Sequence, residues 1–201
     1  MDFSLGEGYD LICKVVNSGV SVKQGMEALI KYSNDYSNNM SWKNVLELDF
    51  DNDEKNLLNW LEQVLKVEPP SKDIKKLWFG LFDGIYDGNE QCILYISGSS
   101  IESNEDIEEL DFEEEYLPDD RYADSKILYQ ISSILKTQDK ESKYIGEYIL
   151  YLGYTCLVIQ DIFKRIDENI LDCLDESCKI TVGFDSGDYV DLGILKNIRI
   201  H

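Results

Sequence analysis

Apolar positions recur along this chain with two periods, and each period predicts a different element. Tyr9, Leu11, Ile12, Val15 and Val16 form a short helical face that ends at Ser18-Gly19. Ser21 suits the cap of a second helix, with Val22, Met26, Leu29 and Ile30 at helical spacing. Ser41 suits the start of a short helical piece carrying Trp42, Val45 and Leu46. The run Asp51-Asn52-Asp53-Glu54 then places negative charge at a helix start, where it complements the macrodipole. Leu57, Leu58, Trp60, Leu61, Val64 and Leu65 follow on one face. Pro69-Pro70 stops that helix, which the pattern puts at about 14 residues.

From Lys75 to Phe82 the pattern changes to a continuous apolar, aromatic-rich run, which turns through Asp83–Asn89 and returns over Gln91–Ser97. This predicts a hairpin covered on both faces at its centre. Ile127, Leu128, Ile131, Ile134 and Leu135 then mark another helix, followed by a polar turn at Thr137–Ser142. In the next segment Ile145, Ile149, Leu152, Cys156, Ile159, Phe163 and Ile166 recur at intervals of 4, 3, 4, 3, 4 and 3. Tyr148, Tyr151, Tyr154, Leu157 and Val158 widen that stripe almost all round, as expected of a buried helix. Gly146 and Gly153 lie on one face of it and allow a close neighbour. Leu171 and Leu174 close a helical turn. A second hairpin follows, Lys179–Phe184 and Tyr189–Leu195 around Asp185-Ser186-Gly187-Asp188, and the tail from Lys196 is expected to extend its edge.

Helices and hairpins in separate runs indicate an α+β fold. The expected architecture is an antiparallel sheet of two hairpins (about 75–97 and 179–195) packed against helices, with a long buried helix at about 142–167. The expected organisation is a single domain over 1–201, with a helical N-terminal part (1–70) and a sheet and helix part (71–201).

Charge adds what periodicity leaves out. The chain carries 40 acidic against 19 basic residues, a net charge of −21. Such a field repels nucleic acid and anionic membranes and favours basic partners or cations, besides serving solubility. The first residues, Met-Asp-Phe-Ser-Leu-Gly-Glu, lack the basic and apolar regions of a signal peptide. The longest uncharged apolar run, Tyr148 to Gln160, is shorter than the roughly 20 residues a membrane span needs. Five cysteines at 13, 92, 156, 173 and 178 match no zinc spacing. A soluble cytosolic protein with reduced thiols is the expectation.

About half of the net charge sits in one place. Residues 102–124 hold 12 acidic residues, with Arg121 as the only base. Leu110, Phe112, Tyr116, Leu117 and Tyr122 interrupt the carboxylates, so a long loop pinned by its apolar residues is expected. Other chemistry is thin. The one histidine, His201, is the last residue in the sequence and a poor candidate for a rigid acid–base role. Ser97-Gly98-Ser99 is not a nucleophile elbow, and Gly80, Gly84 and Gly88 match no nucleotide fingerprint. Asp49 to Asp53 begins like a calcium loop, but Glu54 stands where that loop needs glycine and Trp60 where it needs glutamate. Asp185, Asp188 and Asp191 gather around the last turn, where a hard cation and a solvated turn are both open readings.

Leu77-Trp78-Phe79-Gly80-Leu81-Phe82, Leu94-Tyr95-Ile96-Ser97-Gly98-Ser99, Tyr116-Leu117-Pro118-Asp119-Asp120-Arg121-Tyr122 and Gly183-Phe184-Asp185-Ser186-Gly187-Asp188-Tyr189 together resemble small stand-alone acidic bacterial proteins of unknown function. Acidic α+β proteins of this size also occur among the immunity proteins of bacterial toxin systems. The resemblance brings no catalytic residues. The charge of the acidic loop points to a non-enzymatic, cytoplasmic binding protein, with no cofactor or metal expected, which masks the basic surface of a protein partner; the resemblance adds a cognate toxin as that partner. The expected partner-binding residues are Glu105, Asp106, Glu108, Glu109, Asp111, Glu113, Glu114 and Glu115, with Tyr116 as an anchor. The alternatives are a metal-dependent enzyme using clustered carboxylates, or a housekeeping domain without a special site. The oligomeric state is not set by the sequence.

Overall fold

The computed structural model describes residues 4–36, 42–86, 88–100 and 115–200, excluding the side chains of residues 36, 199 and 200. Helix α1 (Leu5–Val16) starts where Ser4 accepts a hydrogen bond from the Glu7 amide. Helix α2 (Val22–Tyr36) opens with a reciprocal capping box. The Gln24 amide donates to the Ser21 hydroxyl, and the Ser21 amide donates to the Gln24 side chain. After the short α3 (Trp42–Val45), helix α4 (Phe50–Val67) is capped by Asp49, which accepts from the Asn52 amide. It is longer than its apolar face alone suggests, because it begins at Phe50 and runs to the residues just before Pro69-Pro70.

Strands β1 (Lys76–Tyr86) and β2 (Asn89–Ser99) pair antiparallel without interruption from Lys76↔Ser99 to Tyr86↔Asn89. Gly88, at φ 76°, supplies the left-handed residue that a two-residue hairpin turn requires. The chain returns along β2 in the short β3 (Tyr122–Ala123). It then builds α5 (Lys126–Leu135) and α6 (Lys140–Gly146). The latter runs on through a π-helical turn at Glu147–Tyr151 into α7 (Leu152–Arg165). Together these last three pieces are the long buried helix that the spacing predicts, and Ile149, Leu152, Ile159 and Phe163 lie in the core. After α8 (Glu168–Leu171) come β4 (Lys179–Phe184) and β5 (Tyr189–Ile194).

One five-stranded sheet results, in the order β3-β2-β1-β4-β5. The hairpins do share it, and its pairs are antiparallel except at the join, where β1 and β4 run parallel from Lys76↔Lys179 to Leu81↔Phe184. The helical connection from α5 to α8 is long enough to bring the chain back to the same end of the sheet, which a parallel neighbour needs. Leu77, Phe79 and Leu81 share a face with Leu94, Ile96, Ile180 and Val182, each at most 1% exposed. That face meets the helices, with the Phe79 and Phe163 rings edge to face at 5.8 Å.

The opposite face explains the strand glycines. A Cβ on Gly80 would stand 2.1 Å from the Tyr95 ring, and one on Gly183 would stand 2.5 Å from the Trp78 ring. These two aromatic rings therefore lie across bare backbone. The tail departs from expectation. It does not extend the β5 edge but forms α9 (Leu195–Ile200), with Leu195 and Ile198 buried at helical spacing. The Leu195 and Lys196 amides donate to the carbonyls of Cys178 and Glu176, which turns the chain away from the strand.

Candidate functional site

Of the acidic residues expected to meet a partner, Glu105, Asp106, Glu108, Glu109, Asp111, Glu113 and Glu114 lie outside the described residues, as does Phe112. The two ends of their segment are described. Ser100 donates from its amide (3.1 Å) and its hydroxyl (2.8 Å) to the Glu115 carboxylate. The Glu115 and Tyr116 amides donate to Gly98 O, and the Gly98 amide donates back to Tyr116 O. The described residues on either side of that segment, Ser100 and Glu115, therefore meet at the end of β2.

Tyr116 faces inward there. It is 8% exposed, and its hydroxyl donates to the Glu68 carbonyl at 2.8 Å. Burial raises the pKa of that phenol above the ordinary tyrosine range. In this arrangement Tyr116 ties the segment to the end of α4 and is not an exposed anchor. The exposed apolar groups lie just beyond it, Leu117 at 46% and Tyr122 at 42%. Trp60 Nε1 donates to the Asp120 carbonyl and the Asp119 amide donates to Glu68, so this stretch follows a fixed path.

Tyr122 closes a cluster of rings. It lies 6.1 Å from Phe82 and 6.2 Å from Tyr95, and Phe82 and Tyr95 are 5.8 Å apart. The Arg121 guanidinium sits 4.7 Å from the Tyr122 ring centre, and the Tyr95 hydroxyl donates to Asp185 at 2.8 Å. Phe82, Tyr95, Leu117, Arg121, Tyr122 and Asp185 line a groove of about 330 Å³. Glu115, Asp119, Asp120 and Asp124 are exposed around it. In the sequence Tyr122 is one of three aromatics, with Phe112 and Tyr116, that interrupt the carboxylates. Its pairing with Tyr95 across β2 and β3 puts it on the outer face of the sheet.

Among the described residues no three Cys, His, Asp or Glu side chains are placed to hold a metal ion. The aspartates of the last turn and β5 have different partners, Asp185 with Tyr95, Asp188 with Tyr148 and Asp191 with the Thr181 hydroxyl among them. All five cysteines are free thiols. Burial raises the pKa values of Cys92, Cys156 and Cys178, the last to about 12, so these thiols stay protonated near neutral pH. A second cavity of about 300 Å³ opens beside the π-helical turn, lined among others by Asp83, Glu147 and Tyr151. Its two lysines already have partners, Lys136 on the Glu90 carbonyl and Lys143 on Glu147.

One carboxylate stands out elsewhere. Glu54 is raised from its ordinary 4.5 to about 7, first by burial and then by Asp161, against the pull of Arg165. Arg165 bridges both carboxylates from α7. No described helix is long and apolar enough to cross a membrane. The chain matches no family model, no curated protein and no solved structure.

Proposed function

We propose that this is a non-enzymatic binding protein that masks a basic surface on a partner protein, as an immunity protein masks its toxin. The observation that carries this reading is the gathering of 12 carboxylates in residues 102–124, together with the fixed position of Glu115 on Ser100 and the exposure of Leu117 and Tyr122. Crowded carboxylates repel one another, and a partner bearing lysine and arginine relieves that repulsion and is steered toward it. Tyr122 and Leu117 take the anchoring part that Tyr116, turned inward, does not. The same reading places the protein in the cytoplasm, where five free thiols persist.

The test uses the full chain as bait in extracts of its source organism, followed by association kinetics with the captured protein. The captured protein should be basic. Its association rate should fall steeply as ionic strength rises from about 0.01 to 0.15 M, over which the screening length shrinks from about 30 to 8 Å. Neutralising Glu105, Asp106, Glu108 and Glu109 together should slow association and flatten that dependence. Tyr122→Ala should speed dissociation about tenfold, the size of an aromatic hot spot. Association that ignores both salt and the four neutralisations would remove the proposal.

A further inference from the structure

A second, larger groove lies at the other edge of the sheet from β3. It runs between α1 and the edge strand β5 and encloses about 770 Å³, within the range of ligand pockets. Three tyrosines and three aspartates shape it. Tyr9 and Asp10 come from α1, Tyr148 from the π-helical turn, and Asp188, Tyr189 and Asp191 from the last hairpin. No lysine or arginine lines it among the described residues.

The polar groups are arranged for one sign of charge. The Tyr148 hydroxyl is bonded to the Asp188 carboxylate, and Asp191 is held by Thr181 Oγ1 at 2.7 Å. Asp10 makes no hydrogen bond or ion pair among the described residues and is exposed. Burial raises the pKa of both inner phenols, that of Tyr9 to about 12, with further contributions from Asp191 at Tyr9 and Asp188 at Tyr148. The tyrosines are therefore neutral rings set in a negative field. Lys76 Nζ lies 5.2 Å from the Tyr189 ring and is attracted by Asp191, so it matches part of the charge at that end of the groove and leaves Asp10, Asp188 and the other two rings for a ligand.

We propose that this groove binds an organic cation, a guanidinium or alkylammonium group, between its tyrosine rings and its carboxylates. The carboxylates supply charge without the convergence that a metal ion needs, and the rings supply faces for a delocalised or methylene-flanked cation. This groove shares no lining residue with the acidic segment, so its failure leaves the proposal above untouched, and the reverse holds.

The experiment titrates the full-length protein with arginine amide, spermidine and a blocked Gly-Arg-Gly peptide, with neutral citrulline amide as control. Calorimetry reads stoichiometry and NMR reads the tyrosine ring signals. Saturable one-to-one binding of a cation, without binding of citrulline amide, is expected. Asp10→Asn and Asp188→Asn should each weaken it several-fold, and Tyr189→Leu about two- to fivefold. Asp120→Asn, outside the groove, should leave it unchanged. Binding by the peptide alone assigns the cation to a protein side chain, and binding by the small amines alone assigns it to a free metabolite; both support the site. No saturable binding, equal binding of citrulline amide, or indifference to all three groove substitutions would overturn it. Because the citrulline comparison needs no variant, a variant that fails to fold does not spoil the test.

Discussion

Asp53 shows how far a single side chain departs from its local pattern. In sequence it is one of several acids at a helix start. In the structure it is 1% exposed and joins three helices. Its carboxylate accepts from the Ser125 hydroxyl (2.7 Å), the Lys126 amide (2.8 Å) and the Tyr154 hydroxyl (2.7 Å), so α4 helps to cap α5 while holding α7. A buried carboxylate with three donors is satisfied, and removing donors exposes its desolvation cost. Tyr154→Phe should cost about 1–3 kcal/mol in denaturant unfolding. Asp53→Leu should cost more than either Tyr154→Phe or Ser125→Ala, since it leaves the Tyr154 and Ser125 hydroxyls and the Lys126 amide without this acceptor. Glu54, one residue on, gives a pH dependence of definite sign. Between its ordinary 4.5 and about 7 the folded chain keeps a proton that the unfolded chain releases, so stability falls as pH rises through that window. Glu54→Gln should therefore raise the melting temperature at pH 8 by about 2–4 °C and leave it unchanged near pH 4. An equal gain at both values would show that charge is not the cause. Neither role is legible in sequence, because burial of an acid depends on what a distant helix brings to it.

Elements were more legible than contacts. Helical spacing located α4, α5 and the long helix, and apolar runs bounded by turn residues located both hairpins, since each signal is local. The π-helical turn was not legible: Glu147–Tyr151 has no composition that separates it from the α-helix on either side. The tail was misread as strand because Ile194, Leu195 and Ile198 satisfy either period over so few residues, and the bonds to Cys178 and Glu176 decide it. The glycines of β1 and β4 were visible as residues and opaque as causes, because the rings that need them come from other strands. Gly183→Ala tests this cause. Its added methyl would meet the Trp78 ring, Tyr189 Cβ and the Asp188 carbonyl, the last at 2.9 Å and part of the backbone. Overpacking of this kind should destabilise by about 1–3 kcal/mol, read as a lower urea midpoint at unchanged slope. Tolerance of the alanine would mean that the Trp78 ring and the backbone at Asp188 and Tyr189 give way without cost.

At the scale of the whole molecule, charge was fully legible and its use was not. A net charge of −21 on a folded chain repels itself, and salt screens that repulsion. The melting temperature should rise between about 0.01 and 0.15 M sodium chloride, and a fall would show that attractive pairs dominate. Of the candidate site, the sequence marked the acidic segment and took Tyr116 as its anchor, which the structure turns inward. It could not tell an inward Tyr116 from an outward Tyr122, since only the bond to Glu68 and the ring cluster separate them. The parallel join has a consequence for synthesis. Strand β1 emerges from the ribosome roughly a hundred residues before β4, the neighbour that closes its second edge. During that interval the nascent hairpin offers an apolar, unpaired strand, the usual seed of aggregation. The next stretch to emerge after β2 is the most acidic in the chain, so growing chains on one messenger repel each other until the closing strand arrives.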